Sequence, residues 1–269
     1  TLTLNPAITG LTAKNIYLPD YDSNSANYLA STGLLNAQGV DVTLRKQIYL
    51  MKGTIQMGGG TLTLEQGGYL QEDGVLDLSN SVLSLSGPFH KYDNGTLTTS
   101  ASTLRLNANV KFEPKSAVTF DTYEPNGWGL VLIDNSSNLT IGGNVSLQPS
   151  AESLTSGFVD HYSTSSDEVM DNNSHVIGIE TNQASLTISG TVTLQDNATI
   201  NSDSGSVSLG NLDLENGNID VNGGTFNLAG GGVGANGLIE VGEQGNLSLQ
   251  GNLTVAGTLD LNDGATINL

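Results

Sequence analysis

The chain has no cysteine, one tryptophan, six prolines, and no lysine or arginine after residue 115. Without cysteine there is no disulfide framework and no thiolate to serve as metal ligand or nucleophile. No stretch approaches the roughly 18 apolar residues that a membrane-spanning helix needs, so insertion into a membrane is not expected. The opening "TLTLNPAITG" lacks a basic n-region and reads as mature sequence. Charged residues are only 13% of the chain, too few for the Lys/Glu-rich surface of ordinary helices, and helical periodicity is almost missing.

What charge there is lies unevenly. All eight basic residues, Lys14, Arg45, Lys46, Lys52, Lys91, Arg105, Lys111 and Lys115, fall in the first 115 positions, beside nine acids. Eighteen acids and no basic residue follow, and the net charge is −19. Such a field repels phosphate backbones, so nucleic acid is not an expected partner.

Apolar-x-apolar pairs, separated by polar or Gly turns, are the period-2 signature of half-buried strands. Towards the end they begin at Leu186, Val192, Ala198, Val207, Leu212, Ile219, Phe226, Val233, Ile239, Leu247, Leu253, Leu259 and Ile267. Every third member forms a series: 186, 207, 226, 247, 267; then 192, 212, 233, 253; then 198, 219, 239, 259. Similar spacing runs upstream through Val145, Leu139, Leu130, Val118, Val110, Leu104, Leu97, Leu83, Leu76, Tyr69, Leu62, Ile55 and Ile48 to Val42. The expected fold is all-β: a right-handed parallel β-helix, or β-solenoid, with three short strands and about 20 residues per coil and about ten coils. One coil cannot bury its apolar pairs alone, so each stacks on the next at about 4.8 Å.

Residues 42–269 form the expected solenoid, and residues 1–41, which fit the repeat poorly, an N-terminal cap or docking segment. Two interruptions, near 121–130 ("DTYEPNGWG") and 149–175, leave the same corner of consecutive coils and should emerge side by side as loops. Their rings and polar residues, Tyr123, Trp128, Phe158, Asp160, His161 and Tyr162, are the candidate ligand-binding set, because aromatic faces beside Asp and Asn hold sugars or protein partners. His90 and His175 read as ordinary surface residues.

A second pattern is acidic. The outward residues Asp220, Glu240 and Asp260 recur every twenty positions, as do Glu243 and Asp263 in the following turn. Stacked carboxylates repel, and an oxygen-seeking cation such as Ca²⁺ would relieve that. The same ladder serves equally as a solvated acidic face. Its flat surroundings lack the Arg or Lys that lyase chemistry on acidic sugars would want. Outward Thr187, Thr193, Thr199 and Thr254 do not repeat as one threonine column, since Thr187 is followed by Ser208, Asn227 and Ser248, which argues against an ice-binding face.

The stretches "SLTISGTVTLQDNATINSDSGSVSLGNLDLENGNIDVNGGTFNLAG" and "GNLSLQGNLTVAGTLDLNDGATINL" resemble the β-helical passenger regions of bacterial autotransporter and filamentous-haemagglutinin-type adhesins. The resemblance is one of repeat style; it implies export and surface display and supplies no site residues. The expectation is therefore an extracellular, non-enzymatic solenoid that binds a glycan or a host or neighbouring surface protein through its loops. The alternative is a structural subunit that meets further copies of itself end to end, suggested by the uncapped last repeat "TLDLNDGATINL". A polysaccharide-active enzyme is the third choice.

Overall fold

A computed structural model describes residues 33–92, 94–133, 137–149 and 178–269, together with the backbone of Leu2–Thr3, Leu11–Ala13 and Asn27–Leu29. Among the described residues there is no helix, and every strand pairing is parallel. The chain is a β-solenoid of about ten turns with about 21 residues per turn. Three faces run along it. The first holds Leu34–Asn36, Thr54–Gln56, Val75–Asp77 and Thr96–Thr98, then Ala117–Phe120 and Asn138–Ile141. The second holds Val42–Leu44, Thr61–Leu64, Val82–Leu85, Thr103–Leu106, Thr122–Glu124 and Val145–Leu147. The third begins with Ile48–Leu50, Gly68–Leu70 and Phe89–Lys91. From residue 179 the pairing runs on around the corners, and strands reach 16 residues, as in Ile179–Leu194 and Thr199–Leu214.

The inward residues of each strand build one aliphatic core. Leu186, Val207, Phe226 and Leu247 stack on one another in register and are at most 1% exposed, and Ile267 continues the column. At strand rise and spacing such a column is held on both sides by backbone ladders, so each apolar side chain is sealed by the coils above and below. Corners rely on glycine where coils touch: Gly205 has φ +117°, and a Cβ there would lie 2.2 Å from the Ala184 carbonyl oxygen.

Several sequence expectations shift. The ladder extends upstream of residue 42: Leu35 is a buried core residue, and Leu2–Thr3, Leu11–Ala13 and Asn27–Leu29 pair with Leu34–Asn36, Val42–Leu44 and Ile48–Leu50. The third series runs 200, 219, 239, 259, because Ile200 and not Ala198 pairs with Ile219. In the second, Gly231 takes the position given to Val233. Tyr69 points outward, since Gly68 and Leu70 are the residues aligned with Ile48 and Leu50; a one-residue slip exchanges the two sides of a strand.

The third face is paired at every step, but each of the others has one break. Among the described residues, Thr96–Thr98 pairs on one side only, with Val75–Asp77, and Ala117–Phe120 pairs only with Asn138–Ile141. On the second face Thr122–Glu124 pairs only with Thr103–Leu106, and Val145–Leu147 only with the strand after it. The second break positions the candidate site.

Candidate functional site

Where the second face opens, a cleft of about 570 Å³ lies between the edge strand Thr122–Glu124, with its turn Pro125–Asn126–Gly127, and the chain from Asn144 to Pro149. That volume falls in the range of small-ligand sites. Of the two segments expected to emerge side by side, the first lines this cleft with Tyr123, Glu124, Pro125, Asn126 and Gly127, and the second contributes Pro149, its remaining residues lying outside the described residues. The first, however, is no loop. Thr122–Glu124 is a strand whose Tyr123 aligns with the core residue Leu104, and the turn after it is closed by left-handed Asn126 and Gly127. Asn126 Nδ2 donates to the Leu106 carbonyl at 3.1 Å, which pins this turn to the coil before it.

Tyr123 therefore occupies a core position, 4% exposed, and still lines the cleft. Its hydroxyl is buried and has no hydrogen-bond partner among the described residues, and burial pushes the phenol well above its ordinary pKa, so it stays a neutral donor. An orphaned buried hydroxyl costs on the order of 1–3 kcal/mol and calls for an explanation. Trp128 lies in the connection between Thr122–Glu124 and Leu130–Ile133; its backbone N–H donates to the Pro125 carbonyl at 2.9 Å, and its partly buried side chain packs against the core. Phe158, Asp160, His161 and Tyr162 lie outside the described residues.

The rest of the lining is polar and electrically balanced. Glu124 Oε2 accepts from Arg105 Nε at 2.6 Å, so its charge is matched from the neighbouring coil. Asn144 Oδ1 accepts the Thr191 N–H at 2.9 Å, which leaves its amide nitrogen as a donor. Gln148 Nε2 donates to Asp196 at 2.6 Å, which leaves its oxygen as an acceptor. Ser146 adds a hydroxyl, and Pro125 and Pro149 add small apolar surfaces. Alternating donors and acceptors with little net charge suit a neutral, polyhydroxylated ligand.

The acidic ladder stands as its spacing implies. Asn201, Asp220, Glu240 and Asp260 are consecutive partners on the third face. Burial, then the charges of Glu240 and Asp203, pushes the Asp220 carboxyl above its ordinary value. Glu180 is raised too, first by burial and then by Asp203, with Lys111 opposing. Asn262 Nδ2 donates to Glu240 at 3.1 Å and relieves part of the crowding. Glu243 and Asp263 sit exposed at the following corners. Among the described residues no three acidic or histidine side chains converge as a metal ion would require.

One cluster escaped the sequence reading. On the outer side of the third face Tyr49, Tyr69 and His90 stack at centroid distances of 4.9 and 4.8 Å, and Tyr92 flanks Tyr69 at 6.3 Å. His90 Nδ1 donates to Glu113 Oε2 at 2.6 Å, and Lys115 Nζ lies 3.1 Å from the other carboxylate oxygen and 5.3 Å from the Tyr92 ring centre. Burial alone would raise the Glu113 carboxyl; the hydrogen bonds and charges of His90 and Lys115 outweigh it and hold it below the ordinary value. His90 is thus an anchored residue, not an ordinary surface histidine. The signal was present at positions 49, 69 and 90, hidden by the slip at Tyr69. Because the rings cover one another's faces, they brace consecutive coils and leave little flat surface for a ligand.

In comparison with known proteins, the chain matches no family model, no curated sequence and no solved structure.

Proposed function

We propose that the protein is an extracellular, non-enzymatic binding module of adhesin type, a rigid rod that holds a neutral glycan in the cleft beside Tyr123. The observation that carries this reading is the orphaned Tyr123 hydroxyl. A well-packed coil would place Phe or Leu there; a tyrosine without a partner among the described residues costs stability, and a ligand that opens the cleft wall would bring an oxygen to this donor, which is sealed from solvent in the free chain. The amide, hydroxyl and carboxylate groups around it match the hydrogen-bonding pattern of a sugar ring, and the prolines give its C–H faces an apolar contact. A glycosidase needs two carboxyl groups flanking the scissile bond. The cleft lining contributes one, Glu124, and Arg105 already engages it.

Screening the purified chain on an array of neutral oligosaccharides, followed by titration calorimetry of the hits, tests this. Asn144→Ala combined with Gln148→Ala should weaken binding at least tenfold while the β-sheet circular dichroism stays unchanged. Full affinity in that double variant, or hydrolysis of the bound sugar, contradicts the proposal.

A further inference from the structure

The first face carries a second surface, away from the cleft. From Ala117 onward its outward residues form two straight columns. In one, Thr119, Thr140, Thr187, Ser208, Asn227 and Ser248 are consecutive partners. The other, two residues earlier on each strand, runs from Ala117 to Thr266 and contains only Ala, Asn, Ser and Thr. All of these are at least partly exposed, and none is charged. The second and third faces of the same coils carry Asp213, Asp220, Glu240 and Asp260 outward. A chain with net charge −19 thus keeps one flat face neutral over seven strands. The flanking corner towards the second face carries Gly190, Gly210, Gly230 and Gly251 on the later coils and Asp121 on the first, while the corner towards the third face carries the exposed Asp203, Glu243 and Asp263.

We propose that this face binds an extended neutral polysaccharide lying along the rod. Charge and area select the occupant. An acidic polymer or peptide would find no cation, since the chain has no lysine or arginine beyond residue 115. A second copy docked face to face would bury only about 400 Å² per partner, from six steps of about 4.8 Å and a strand width of about 13 Å, and a stable pair needs about 800 Å². A linear neutral glycan needs neither charge nor a deep pocket. A pyranose unit is comparable in length to one inter-coil step, so hydroxyl and amide groups repeated at about 4.8 Å meet successive sugar units and add weak contacts into avidity. Asn227 Nδ2 already bridges to Ser208 Oγ at 3.1 Å, which orders the array before any ligand arrives. The mixture of Thr, Ser and Asn lengths in one column suits a conformable chain better than the fixed lattice of ice.

The test is co-sedimentation with amorphous cellulose and affinity electrophoresis in soluble mixed-linkage β-glucan. Thr187→Glu with Asn227→Glu, both outward positions that leave the core untouched, should lower retention at least tenfold; Thr193→Glu, outward on the second face, should leave it unchanged. The paired variant should also keep its full affinity for short oligosaccharides in the cleft, so this proposal and the cleft assignment fail independently. Absence of retention for the unaltered chain overturns the proposal, as does retention insensitive to the paired substitution. Thermal hysteresis of freezing without polysaccharide retention would assign the face to ice and overturn it equally.

Discussion

The coils before residue 115 and those after residue 178 share one core and differ in nearly everything outside it. Upstream, strands are two to five residues long, and the outer surface is tied by Arg45–Glu65, Lys52–Glu72, the His90–Glu113–Lys115 cluster and stacked tyrosines. Downstream, strands run through the corners for up to 16 residues, and the side-chain ties are hydrogen bonds from Asn, Gln, Ser and Thr, some of them to Asp and Glu, in coils that contain no lysine or arginine. Small Gly and Ser corners let the ladder continue where bulkier corners interrupt it. The inward aliphatic residues are thus sufficient for the fold, while the outer surface decides how consecutive coils are held and what they meet.

Core truncation should show that the two regions depend equally on their interior. Phe226→Ala removes a ring that is 0% exposed and should cost about 3–5 kcal/mol in denaturant unfolding. Phe112→Ala upstream should cost a similar amount; a difference beyond twofold would mean the regions fold on different terms. Next in size, Tyr69→Ala deletes two stacking partners at once, and each such pair contributes about 0.5–1.5 kcal/mol beyond area burial. Its loss of about 2 kcal/mol should appear in hydrogen exchange as faster opening of residues 48–92, with residues 200–249 unaffected.

Acidification separates the regions by sign. Glu180 and Asp220 are raised above their ordinary values of 4.5 and 3.8, so their ionisation penalises the folded state at neutral pH. That penalty shrinks as pH falls through the raised values and is gone near the ordinary 4.5 and 3.8, so downstream coils should exchange more slowly near pH 4 than at pH 7 at matched intrinsic rates. Glu113 and Asp77 are lowered, so their contribution is complete above 4.5 and 3.8 and is lost only as pH falls further, through the folded-state values. Upstream coils should therefore weaken below about pH 4, a change of order 1 kcal/mol per shifted unit. Parallel responses in the two regions would contradict this assignment. Smaller still is the effect on binding of Trp128→Ala, which should lower stability by about 2 kcal/mol through lost packing and leave glycan affinity within twofold of the unaltered chain.

The downstream coils were legible in the sequence because apolar and polar residues alternate along most of their strands, so Leu186, Val207, Phe226 and Leu247 announce their column by spacing. Legibility failed where a residue has little or no side chain to read. Gly68 takes an inward place and throws Tyr69 to the other side, and Gly231 takes the inward place beside Leu212, two residues before the inward Val233. The candidate site failed differently. "TYEPNG" has a Pro and an Asn-Gly turn and reads as a loop, yet its first three residues pair as a strand, because Tyr123 fills a core position in the coil. That this turn faces Asn144–Pro149 across a missing ladder was not legible, because the break depends on backbone pairing, which composition does not encode.

The central claim, that Tyr123 holds a hydroxyl in the core for the sake of a ligand, is tested most directly by Tyr123→Phe measured twice. Without ligand the variant should be more stable than the original chain by about 1 kcal/mol, since it no longer buries an unpaired hydroxyl. In titration with the best oligosaccharide it should bind at least fivefold more weakly. Opposite signs in the two measurements are what the account predicts; a variant that is less stable, or that binds equally well, would contradict it.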